Sequence, residues 1–216
     1  FALTGMGIVA SERDDPATAR RLLDAALEAY RALGHQPGVA WALDALADLA
    51  GSLGEYDAAR ELFDQSSAIF SALGDEVNAA WGLSGLGRVL ALVGEHASAR
   101  QLLEESLAIF QALGDRHGAA STHASLGEIA HAERDLAAAR GHWLVALRLA
   151  REVGALPLVL DAMVGAAQVD VETGAPQRAR ELAALALAHP ATWQETIASA
   201  AEVVAAADAL LGPEAA

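Results

Sequence analysis

The stretch Gly54–Asp75, GEYDAARELFDQSSAIFSALGD, decides the fold, because it returns forty residues later as Gly94–Asp115, GEHASARQLLEESLAIFQALGD. An Ala-Arg pair marks the same phase at Ala19-Arg20, Ala59-Arg60, Ala99-Arg100, Ala139-Arg140 and Ala179-Arg180. A fixed period of roughly 20 to 50 residues is the signature of a solenoid, in which each unit covers its apolar face only by stacking on neighbours. Aligning 41–80 with 81–120 matches 18 of 40 positions, so the middle units are the most regular.

Each period reads as a helical hairpin. Val39–Leu53 places Leu43, Leu46, Leu49, Ala50 and Leu53 at helical spacing, Gly54-Glu55 interrupts it, and Asp57–Leu73 resumes with Leu62, Phe63, Ile69, Phe70 and Leu73. Asp57 is expected to cap the second helix, and Gly74 to end it in a left-handed conformation. Pro16 and Pro176 suit first helical positions, where no amide hydrogen is needed. The spacing predicts hairpins at about 1–34, 38–74, 78–114, 117–154 and 156–188, and a capping helix at about Thr192–Leu211, which makes eleven helices and an all-α fold. Units one and five drift. Asp170 enters an otherwise apolar column, as expected of a terminal unit exposed on one side, and His189-Pro190 stops the pattern.

Composition narrows the chemistry. The 216 residues are 54% hydrophobic but only 5% aromatic, so small aliphatic side chains must support close helix packing in one elongated domain. There is no Cys, which removes disulfides, thiolate metal ligands and Cys nucleophiles. A net charge of -15 would repel a phosphate backbone, so direct nucleic-acid binding is not expected. All 14 basic residues are Arg, a bias that suits a GC-rich bacterial genome. The chain opens on Phe1 with its first residues already in repeat phase, which suggests a fragment of a longer protein. The apolar run Phe1–Ala10 lacks a basic leader and reads as a helix, and no run reaches the roughly 20 residues needed to span a bilayer. A cytoplasmic location is the expectation.

The columns resemble the tetratricopeptide repeat. Small residues stand at Gly7, Ala47, Gly87, Gly127 and Ala167, turn glycines at Gly54, Gly94 and Gly174, and alanines at Ala19, Ala59, Ala99, Ala139 and Ala179. Large residues follow at Leu23, Phe63, Leu103 and Trp143, then small ones at Ala26, Ser66, Ser106, Ala146 and Ala186. The period departs from the usual 34 residues. The resemblance implies a right-handed superhelical solenoid whose first helices line a concave groove. The longer repeat is similar to the repeat region of maltose-regulator-like and nucleotide-binding bacterial transcriptional regulators. That likeness implies a sensor for a protein, a peptide or a small-molecule inducer, with no cofactor. A carboxylate clamp is not expected, because the chain has no Lys and only Asn78 among asparagines.

If the first helices line a groove, its candidate residues recur with the repeat. One column holds Trp41, Trp81, Ser121 and Asp161; the next Thr4, Asp44 and Ser84; a third Ile8, Asp48, Arg88, Glu128 and Gln168; a fourth His131. Trp41 and Trp81 are either ligand anchors or helix-packing residues, whereas Trp143 belongs to a core column. Asp44, Asp48 and Glu128 would attract a basic peptide segment, with Arg88 setting register. As general acid and base the aspartates lack a defined partner, and they read as a solvated or groove face. His117, His123 and His131 share no single helix face, so no metal site is expected, and His123 fits the core column of Leu43, Leu83 and Met163. With no phosphate loop and no serine set beside a base, an enzyme is not expected. The alternative to a groove binder is a self-association module that dimerises through its ends or through Thr192–Leu211.

Overall fold

In the computed structural model, residues 2–12 and 15–212 are described, and Phe1 lies outside them. Among the described residues there are eleven helices and no strand: α1 Ala2–Glu12, α2 Pro16–Ala32, α3 Gln36–Ser52, α4 Tyr56–Ala72, α5 Glu76–Leu92, α6 His96–Leu113, α7 Arg116–Ala132, α8 Leu136–Val153, α9 Leu156–Glu172, α10 Pro176–Leu187 and α11 Gln194–Leu211. They pair as five hairpins and a final helix. The chain forms two compact units, Phe1–Ile109 and Phe110–Ala216.

The Leu-Gly-Asp turn has two separate jobs. Gly74 and Gly114 take left-handed φ values of 71° and 72°, which a Cβ would resist. Asp75 and Asp115 then cap the next helices, accepting from the amides of Asn78 and Gly118 at 3.2 and 3.0 Å. At the start of α4 the expected cap fails. Asp57 lies inside the first turn, the capping position is Glu55, and its side chain makes no capping bond because it pairs with Arg20 at 2.5 Å.

That ion pair explains the Ala-Arg marker. Ala19, Ala59, Ala139 and Ala179 are fully buried, while each neighbouring arginine reaches a later element. Arg20 meets Glu55, Arg60 meets Glu95 at 3.2 Å, Arg140 meets Asp170 at 2.5 Å and Arg180 meets Asp208 at 2.6 Å. The repeat thus encodes an ion pair between successive hairpins. The same contact accounts for Asp170 in its apolar column: it is 1% exposed, and Arg178 lies 3.3 Å from its second oxygen.

The core is built from small residues facing large ones sixteen positions later. A Cβ on Gly7 would stand 2.7 Å from Leu23, on Gly87 2.8 Å from Leu103, and on Gly127 2.8 Å from Trp143. In the second unit the Trp143 ring is clasped from the other side by Gly165, whose Cβ would approach Cε2 to 2.3 Å. We expect Gly165→Ala to destabilise the unit by about 1–3 kcal/mol, since a buried indole cannot step aside. Gly141, on α8 with open space around it, is the control: Gly141→Ala should stabilise by about 0.5–1 kcal/mol through helix propensity. Equal melting shifts for the two variants would refute this packing account.

Candidate functional site

Within the first unit, the first helices of three hairpins, α1, α3 and α5, enclose a pocket of about 280 Å³. Thr4 and Ile8 come from α1, Trp41, Asp44 and Asp48 from α3, and Asn78 from α5, over a floor that includes Leu49 and Phe70. The i, i+3, i+7 spacing of Trp41, Asp44 and Asp48 puts them on one helical face. The Trp41 side chain is 43% exposed, so it is not a core residue. Trp81 is half-buried.

Electrostatically the two aspartates differ. Asp48 is paired with Arg88 at 2.6 Å, so the expected register-setting arginine neutralises a groove carboxylate of the neighbouring repeat. Asp44 is half-buried and accepts a hydrogen bond from the Ser66 hydroxyl at 3.2 Å. Burial pushes its pKa up to about 7, and the Asp48 charge adds to the rise, while the Ser66 hydrogen bond and Arg88 oppose it. Ser84, from the same column as Asp44, is 2% exposed and so presents nothing to a groove.

The second unit carries the remaining candidates. Glu128 is exposed, and Ser121 and Gln168 are half-buried. His131 lies 2.6 Å from Glu172, which Arg134 also reaches at 2.5 Å from a left-handed φ of 66°. Asp161 accepts from the Thr196 hydroxyl of α11 at 2.7 Å, so the final helix engages the groove column there. His123 is half-buried with its Nδ1 3.1 Å from Nδ1 of His142, a pairing that spacing within one helix could not show. Burial first, then His142 and Arg148, push its pKa down to about 4. Among the described residues no three His, Cys, Asp or Glu gather as a metal site, and no helix is long and apolar enough to cross a membrane.

Sequence spacing found the Trp41, Asp44 and Asp48 face but missed Ser66 and Asn78 as members of the site. Ser66 stood in a small core column, and Asn78 in a column otherwise held by Gly38, Gly118 and Leu158, so only its polarity marked it.

Successive helical hairpins, with small columns seating large side chains and first helices displaying variable ones, define a repeat scaffold. The chain belongs to the tetratricopeptide repeat family, whose model matches residues 1–72, 45–112 and 76–152. No curated protein matches it. Among solved structures it is similar to a Rap protein complexed with Competence and Sporulation Factor, at 14% identity and a TM-score of 0.78, over 93% of this chain and 54% of that one. It is similar to a thermophilic tetratricopeptide repeat protein of Thermus thermophilus, at 17% identity and a TM-score of 0.66, over 94% and 98% of the two chains. A signal transduction ATPase with numerous domains and a tetratricopeptide repeat sensor, from Pyrococcus horikoshii, matches at 15% identity and a TM-score of 0.65, over 97% of this chain but 33% of that one. At these identities the likeness is one of fold.

Proposed function

We propose that the chain is a binding scaffold for a protein or peptide, acting as the sensor or interaction region of a bacterial signalling or transcriptional regulator in the cytoplasm, with its five hairpins working as one repeat domain. The observation that carries the reading is the pocket between α1, α3 and α5, with a rigid, amphipathic Trp41 ring exposed at its edge beside polar groups. Two neighbours in fold support it, a Rap protein complexed with a factor and a signal transduction ATPase with a tetratricopeptide repeat sensor. Recognition would rest on a preformed surface of shape and charge, with no bond made or broken.

The test is a displayed random-peptide library panned on the chain beside Trp41→Ala. Peptides enriched on the wild type should bind the variant at least about tenfold more weakly, the equivalent of 1.4 kcal/mol, while its thermal melt stays in place. Enrichment that is identical on both proteins overturns the assignment of the groove. No enrichment, together with a dimeric mass by light scattering, transfers the function to self-association.

A further inference from the structure

We propose that the pocket between α1, α3 and α5 is a cation subsite, which takes the guanidinium of an arginine in a bound peptide between the Trp41 indole and the Asp44 carboxylate. The inference rests on the peptide-scaffold reading above and specifies what one position of the peptide must be.

Three features of the pocket select this occupant. Its wall carries an exposed indole, and an arginine fork stacks on aromatic faces better than an ammonium does. Its lining is apolar at Ile8, Leu49 and Phe70, which suits the methylene stem of a long side chain. Its charge is unbalanced at one place. Asp48 already holds Arg88, whereas among the described residues Asp44 has only the Ser66 hydroxyl as a hydrogen-bond partner. A carboxylate half-withdrawn from water beside an aromatic ring is complementary to an organic cation and repels an anion. A metal ion is a poorer fit, since no three ligating side chains converge among the described residues.

The charged groups facing Asp44 are Asp48 on its own helix and Arg88 on α5. The other packed elements present uncharged side chains there among the described residues: Thr4 and Ile8 from α1, Leu23 from α2, Ser66 and Phe70 from α4, and Asn78 from α5. Binding a guanidinium requires Asp44 ionised. With its pKa at about 7, the ionised fraction rises from about one-eleventh at pH 6 to about ten-elevenths at pH 8, so affinity should rise about tenfold over that window.

The probe is the capped tripeptide Ac-Leu-Arg-Leu-NH2, titrated into the isotope-labelled full chain and followed at the Trp41 indole N–H resonance. Its citrulline counterpart keeps the shape without the charge, and Leu-Leu-NH2 offers a free terminal ammonium instead. The arginine peptide should shift Trp41 saturably and bind at least about tenfold more tightly than the citrulline peptide, and the rise in affinity with pH should vanish in Asp44→Asn. Equal binding of arginine and citrulline, an affinity unchanged by pH, or Asp44→Asn behaving as wild type overturns the subsite. Tighter binding of Leu-Leu-NH2 overturns the arginine assignment in favour of an amino terminus. No shift from any probe overturns it as well. The two readings separate cleanly: library peptides that depend on Trp41 but show no preference for a cation leave the scaffold standing and remove only the subsite.

Discussion

Replacing Arg140 with Met is expected to destabilise the second unit by about 3–5 kcal/mol, the penalty for leaving a buried carboxylate without its cation. Asp170 is the acid concerned, its side chain 2% exposed and Arg140 2.5 Å from one oxygen. Arg178 lies 3.3 Å from the other oxygen, but its own side chain is 59% exposed, so solvent screens that contact and it cannot substitute for Arg140. The companion variant Arg178→Met should therefore lose less than about 1 kcal/mol. The double variant Arg140→Met/Asp170→Leu should recover to within about 1 kcal/mol of wild type, because the corresponding position in the third repeat is Leu90, which is buried. Urea denaturation followed through the fluorescence of Trp143 on α8, in a background where Trp41, Trp81 and Trp193 are replaced by Phe, reports on this unit. A double variant as unstable as Arg140→Met alone would show that the loss came from packing, not from the stranded charge.

Asp44→Asn should have the opposite sign, and its size should depend on pH. In the folded chain the Asp44 carboxyl holds its proton up to about 7, against an ordinary value of 3.8. Between those values the unfolded chain releases the proton while the folded one keeps it, so the native state loses stability as pH rises through the window. Below pH 4 nothing is lost; above pH 7 the loss is complete, at most about 4 kcal/mol. Asparagine cannot ionise and still accepts from Ser66. The variant should therefore match wild type near pH 4 and exceed it by up to that amount at pH 8. Comparing the two proteins at each pH cancels every other titration common to both. A difference that is the same at both pH values would mean that Asp44 is ionised throughout and that the pocket is wetter than its lining implies. The expected gain also fits a site whose function opposes stability, since a desolvated carboxylate is kept where an amide would fold better.

Much of this was legible in the residues. The turn glycines and the Pro16 and Pro176 starts follow from local spacing, and the helices fall within a few residues of where the pattern puts them. Errors arose where a polar side chain had a choice of partners. Asp57 looked like a cap because the competing role of Glu55, its pairing with Arg20, comes from another hairpin. Ser84 sits in a groove column yet is buried.

By itself, the sequence determined that this protein is a run of helical hairpins in forty-residue steps, because helix periodicity and turn conformation are set by residues three or four apart. It also exposed the face bearing Trp41, Asp44 and Asp48. Only the tertiary structure decided what those polar residues do. Asp48 is matched by Arg88 forty residues away, His131 by Glu172 forty-one away, and Asp44, among the described residues, by a hydrogen bond from Ser66, twenty-two away. Charge compensation acts through space over a few ångströms, and which carboxylate holds an ion pair is settled by how neighbouring hairpins pack, not by the order of residues along either one.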